Sequence, residues 1–149
     1  MTEPSAPMQS LTFAAWRDVS DRSTGQVTRR YVTLAELLVR LGGYGLGLTW
    51  KVRLYDTQLG ARFPQLESAS TDAGIGTLDL LALAAPDLQT VDGDFEGYAD
   101  GELVLILREF DSTSWDVCTA DERVLREFRE TYPDAEPTPH GEWDIQAPP

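Results

Sequence analysis

The sequence is poor in the residues that enzymes use most. Among 149 residues there is one cysteine, Cys118, one histidine, His140, and one lysine, Lys51. A lone cysteine can form no intramolecular disulfide and no cysteine-based zinc cluster. His140 sits among prolines, where nothing rigid would hold it within hydrogen-bond reach of a nucleophile, so a Ser–His–Asp or Cys–His pair is not expected. Long apolar runs are missing too. The longest, Leu103–Leu107 and Leu80–Ala85, fall far short of the ~20 residues of a membrane span. The opening Met1-Thr2-Glu3-Pro4-Ser5 has neither the basic start nor the apolar stretch of a secretory signal. These absences lead us to expect a cytoplasmic chain with no cofactor and no membrane contact, and they make chemistry the weaker functional class.

What is present suits one folded domain. An apolar share of 42% and an aromatic share of 9% are ordinary for a globular chain. At this length roughly 68–70% of the unfolded surface is buried on folding, with no need of a staple. We expect a frayed tail over 1–9, a domain over 10–132 and a Pro- and acid-rich tail over 133–149.

Within the domain, Leu11–Trp16 and Gln26–Val32 read as strands that pair across the turn cluster Asp21–Gly25. Thr33 and Glu36 form a capping box for a helix bearing Leu34, Leu37, Leu38 and Leu41, with Gly42-Gly43 as its stop. The row Leu46, Leu48, Trp50, Val52, Leu54 alternates with polar residues and predicts a half-buried strand. The stretch 56–76 is functional or hides a short element. Thr77 is expected to cap a helix that buries Leu78, Leu81, Ala82 and Ala85. Val91–Tyr98 and Leu103–Phe110 are strands joined at Asp100-Gly101, a hairpin signal, and Ser114–Cys118 is another strand. A second capping box, Thr119 with Glu122, opens a helix with Val124, Leu125, Phe128 and Tyr132 on its buried stripe. The order predicts an α+β fold: an antiparallel or mixed sheet of about five to six strands, with two to three helices packed mainly on one face. Pairing of two copies would then supply cover for the other face. Trp16, Trp50 and Trp115 are expected in the core.

Charge is distributed unevenly. The net charge is −13, a value that repels nucleic acid and favours basic partners through long-range steering. Up to Pro86 eight acids meet eight bases; from Asp87 onward seventeen acids meet four. Such asymmetry hints at an interaction surface, and general acidic surface chemistry is the competing explanation. On the first view Asp92, Asp94, Glu96, Asp100, Glu102, Asp111, Asp116 and Trp143 are the partner-binding candidates. Small acidic proteins of the immunity type, which neutralise basic toxins or nucleases, share this composition, an analogy of composition alone.

Two chemical readings stand beside it. Asp92, Asp94, Glu96 and Asp100 occupy ligand positions of a calcium loop, but position twelve is Leu103 where a bidentate Glu is needed. A carboxylate hydrolase could use Asp111 and Asp116 beside Trp115. The glycine cluster Gly42–Gly47 follows a helix and precedes a strand, the reverse of a dinucleotide-binding loop, and Cys118, with no basic neighbour in sequence, reads as a structural thiol.

Overall fold

In the computed structural model the described residues are 7–54, 62–69, 74–85 and 92–138. Strand β1 (Gln9–Ala14) leads through a bend at Ala15 into β2 (Trp16–Ser20), β3 (Val27–Tyr31) and helix α1 (Leu34–Leu46). Then come β4 (Thr49–Leu54), α2 (Arg62–Ala69), β5 (Ile75–Gly76) and α3 (Thr77–Ala84). A meander of β6 (Gly93–Ala99), β7 (Glu102–Phe110) and β8 (Ser114–Thr119) precedes α4 (Glu122–Thr131) and β9 (Glu136–Pro137). The fold is α+β. Its seven-stranded sheet, in the order β5-β4-β6-β7-β8-β1-β9, is antiparallel at every pairing, and β2 and β3 form a separate two-stranded ribbon. Two of the seven strands are only two residues long.

Alternation decides which side of the sheet is dry. Trp50, Val52 and Leu54 on β4, Phe95 on β6, Leu105 and Leu107 on β7, Trp115 and Val117 on β8, and Leu11 and Phe13 on β1 line one face. All four helices press apolar side chains onto that face. Leu34, Leu37, Leu38 and Leu41 come from α1, Leu66 from α2, Leu80 and Ala84 from α3, and Val124, Leu125 and Phe128 from α4, with Tyr132 just past its end. Each fully buried large side chain contributes ~1.5–3 kcal/mol. Gly97 belongs to this packing, since a Cβ there would lie 3.1 Å from Leu48 and 3.4 Å from the Trp50 ring.

Several local expectations need correction, and each has a visible cause. The Leu11–Trp16 stretch splits at Ala15: its first part pairs with β8, and the ribbon partner of β3 is Trp16–Ser20. Trp16 is therefore half-exposed, its ring tilted at 57° against Tyr31 outside the main core. Leu46 stays in α1 and is exposed, because α1 continues past a kink at Gly42, whose φ of 58° and ψ of −139° suit only glycine. Thr77 does not cap α3. Its hydroxyl turns inward, accepting from Trp50 Nε1 at 2.8 Å and donating to the Gly45 carbonyl at 2.5 Å. That anchor sets the helix phase, so Thr77, Leu80 and Ala84 face the core while Leu78 is 67% exposed.

Thr119 likewise lies inside β8, bonded to the Val104 carbonyl, and Asp121 caps α4 by accepting from the Arg123 and Val124 amides. The chain after Pro133 also joins the fold: β9 pairs with β1, and Asp134 Oδ2 accepts the Ala14 amide at 2.8 Å. His140 and Trp143 lie outside the described residues.

Candidate functional site

Three of the candidate binding residues, Asp94, Glu96 and Asp116, lie on the side of the sheet away from the helices. Antiparallel register places Arg53 beside Asp94, Asp94 beside Arg108, and Arg108 beside Asp116. Four neighbouring strands thus carry a row of alternating charge. Arg108 grips Asp94 with both arms of its guanidinium, Nε to Oδ1 at 2.6 Å and Nη2 to Oδ2 at 3.1 Å. Bidentate pairs of this kind are short and orientationally fixed. The next row runs Lys51, Glu96, Ile106, Cys118, Ser10. Arg53 Nε lies 3.4 Å from Glu96 Oε1, the Tyr98 hydroxyl donates to the same oxygen at 3.3 Å, and Lys51 Nζ sits 5.2 Å above the Tyr98 ring.

The acids of β6 are therefore matched by cations of its neighbours. Asp94 is only 6% exposed. A buried carboxylate needs such partners, because stripping it of water costs several kcal/mol otherwise.

The remaining candidates lie at the borders of this face. Asp92 and Asp111 stand at one end of the strands, where Asp92 Oδ1 accepts the Asp111 amide at 2.8 Å. Asp100 and Glu102 stand at the other end, in a turn whose central residues Asp100 and Gly101 take φ of 51° and 79°, the left-handed values of the tight hairpin turn expected there. Glu136 edges the sheet on β9. The two ends are about 20 Å apart, the length of β6 at ~3.4 Å per residue. Phe110, 62% exposed, projects beside the Asp92–Asp111 end.

The other chemical candidates are dispersed. Asp111 and Asp116 do not share an apolar pocket with Trp115: Trp115 points into the core and donates to the Val32 carbonyl, whereas Asp116 belongs to the opposite face. Among the described residues no three His, Cys, Asp or Glu side chains gather closely enough to hold a metal ion. Cys118 is buried, and burial pushes its thiol up to about 11, leaving it a neutral thiol near pH 7. Its Sγ rests 3.8 Å from Met8 Sδ. No helix among the described residues is long and apolar enough to cross a membrane.

Sequence reasoning named the acids but missed their counter-ions, Arg53 and Arg108, and the exposed Phe110. The polar row of β4 was the available signal for Arg53. Nothing local could say that β4 lies beside β6. The chain matches no protein-family model, no curated protein and no solved structure.

Proposed function

We propose that this chain is a non-catalytic protein-binding domain that captures a basic partner on the face of its sheet opposite the described helices, in the manner of an immunity or inhibitor protein. One observation carries the reading. The charges in the middle of that face are interlocked in opposite-sign pairs, and its ends and edge hold Asp92, Asp100, Glu102, Asp111 and Glu136. On α4, by contrast, Glu122, Glu127 and Glu130 are matched in number by Arg123, Arg126 and Arg129. Much of the surplus negative charge of the described residues thus borders the open face, whereas Glu109 is buried on the core side and Asp79 lies on α3.

The geometry favours a flat macromolecule over a small one. Five long strands spaced ~4.8 Å apart and about 20 Å long give roughly 400 Å² of sheet. A standard interface takes about 800 Å² from each partner, so the rim acids must join the contact. The locked centre needs no reordering when a partner arrives, which spares side-chain entropy. Tyr98 and Phe110 are the aromatic anchors, the residue type enriched at binding hot spots.

The test uses the wild-type chain and an Asp100→Lys/Glu102→Lys/Asp111→Lys variant as bait. The expected result is a basic protein bound at low salt, released as salt rises and absent from the variant. Capture of the same protein by the variant, or no enrichment of basic proteins by the wild type, overturns the proposal.

A further inference from the structure

On the opposite, helical side the kink in α1 builds a small cleft that the open face does not involve. Glycine at 42 breaks the helix and lets residues 43–46 turn again, with Tyr44 half-buried against the start of α4. Gly45 permits this close turn, because a Cβ there would come within 2.9 Å of Leu41 Cβ. The cleft that results has a volume of about 290 Å³. Its floor is apolar: Leu41, Val124 and Phe128 are all buried.

Its walls carry two loose ion pairs, Arg40 Nη1 to Glu127 Oε1 at 3.9 Å and Arg123 Nη2 to Asp121 Oδ2 at 3.4 Å. Tight charge-assisted bonds are ~2.7–2.9 Å, and Arg108 holds Asp94 at 2.6 and 3.1 Å. The walls of the cleft are thus paired in charge without being closed on each other. Burial raises the Tyr44 phenol above its ordinary value, so it remains a neutral donor at the cleft wall.

We propose that this cleft binds a small zwitterion with an apolar side chain, the chemistry of a free aliphatic α-amino acid. Its carboxylate inserts at Arg40, its ammonium at Glu127, and its side chain covers Leu41, Val124 and Phe128. A zwitterion fits where a single charge does not. A lone carboxylate would face Glu127, and a lone amine would face Arg40, each at the distance of a direct repulsive contact. The volume sets the size, since drug-sized ligands occupy pockets of ~300–1,000 Å³.

Amide NMR of the full chain titrated with L-leucine, N-acetyl-leucine and leucine amide tests the idea. Leucine is expected to shift the signals of Arg40, Tyr44 and Val124 saturably, and both blocked forms to leave them in place. Arg40→Gln and Glu127→Gln are each expected to weaken leucine binding roughly tenfold or more, the loss of one charge-assisted contact. No saturable shift with leucine, or equal binding of a blocked form, overturns the proposal without touching the open sheet face.

Discussion

The hydroxyl of Thr77 offers a sharp test of how this fold is held. It is buried, and it accepts from the Trp50 indole at 2.8 Å while donating to the Gly45 carbonyl at 2.5 Å. Thr77→Val keeps the shape and replaces the hydroxyl by a methyl. The Gly45 carbonyl would still accept the Leu48 amide at 3.0 Å, so one bond is lost there, worth ~0.5–1.5 kcal/mol. The Trp50 N–H has no such reserve. It would be left buried and unmet, at a cost of ~1–3 kcal/mol.

Together these give a loss of about 2–4 kcal/mol. Thr77→Ser keeps both bonds and sheds one buried methyl, a loss of about 1 kcal/mol. The expected order of stability is therefore wild type, then Ser, then Val, whereas burial of apolar surface alone would put Val first. Urea unfolding followed by tryptophan fluorescence measures it, with the Trp50 indole proton as a local reporter by NMR. A Val variant as stable as wild type, or more stable than Ser, would refute the claim that this relay anchors α3.

Three more expectations follow from named atoms. The Tyr31 hydroxyl oxygen is buried with no hydrogen-bond partner among the described residues, so Tyr31→Phe should raise stability by about 1 kcal/mol; a fall in the urea midpoint contradicts this. Gly42 has φ of 58° and ψ of −139° with open space where a Cβ would stand, so Gly42→Ala should cost ~1–3 kcal/mol through backbone strain alone. Gly43→Ala, in helical backbone with equal space, should be neutral or gain up to ~1 kcal/mol, and equal thermal midpoints for the two would sink the argument.

For Asp134, burial pushes its pKa upward, but the Ala14 amide and the Arg17 guanidinium outweigh it and hold the carboxyl below its ordinary 3.8. A lowered folded value means stability that is present above pH 3.8 and lost as pH falls through the folded value. Asp134→Asn should thus be less stable than wild type near neutral pH and should converge with it below that range. Urea midpoints that stay equally far apart at both ends rule this out.

Much of the fold was legible because its signals were local. The stripe Val124, Leu125, Phe128, Tyr132 and the row Leu48, Trp50, Val52, Leu54 are periodic, and periodicity survives any tertiary arrangement. The Asp100-Gly101 turn was legible because only those backbone angles close so tight a hairpin. Thr77 and Thr119 were misread for a single reason. A threonine ahead of a helix has a local use as a cap and a tertiary use as a buried bridge, and only the neighbouring Trp50 and Val104 decide between them. The site fared worse. Asp94 and Glu96 lie on β6 with Asp92 just ahead of it, but whether they form a free acidic row depends on which strands flank β6.

That dependence explains what the charge asymmetry along the chain becomes in space. The first half of the chain, itself neutral, sends its cations to acids of the second: Arg17 to Asp134, Arg40 to Glu127 and Arg53 to Glu96. Folding interleaves the halves because β4 inserts beside β6 and β1 beside β8. An excess that looks like one block in sequence is thereby neutralised in the middle of the sheet and survives at its ends, where turns leave no neighbouring strand to supply an arginine. Since those ends lie about 20 Å apart, beyond the ~8 Å screening length of physiological salt, each acts on its own part of an approaching surface. On the binding role proposed above, a partner would have to match two acidic ends across a locked, nearly neutral middle. That would be a demand on shape as much as on charge, and it would separate a specific basic protein from a flexible polycation.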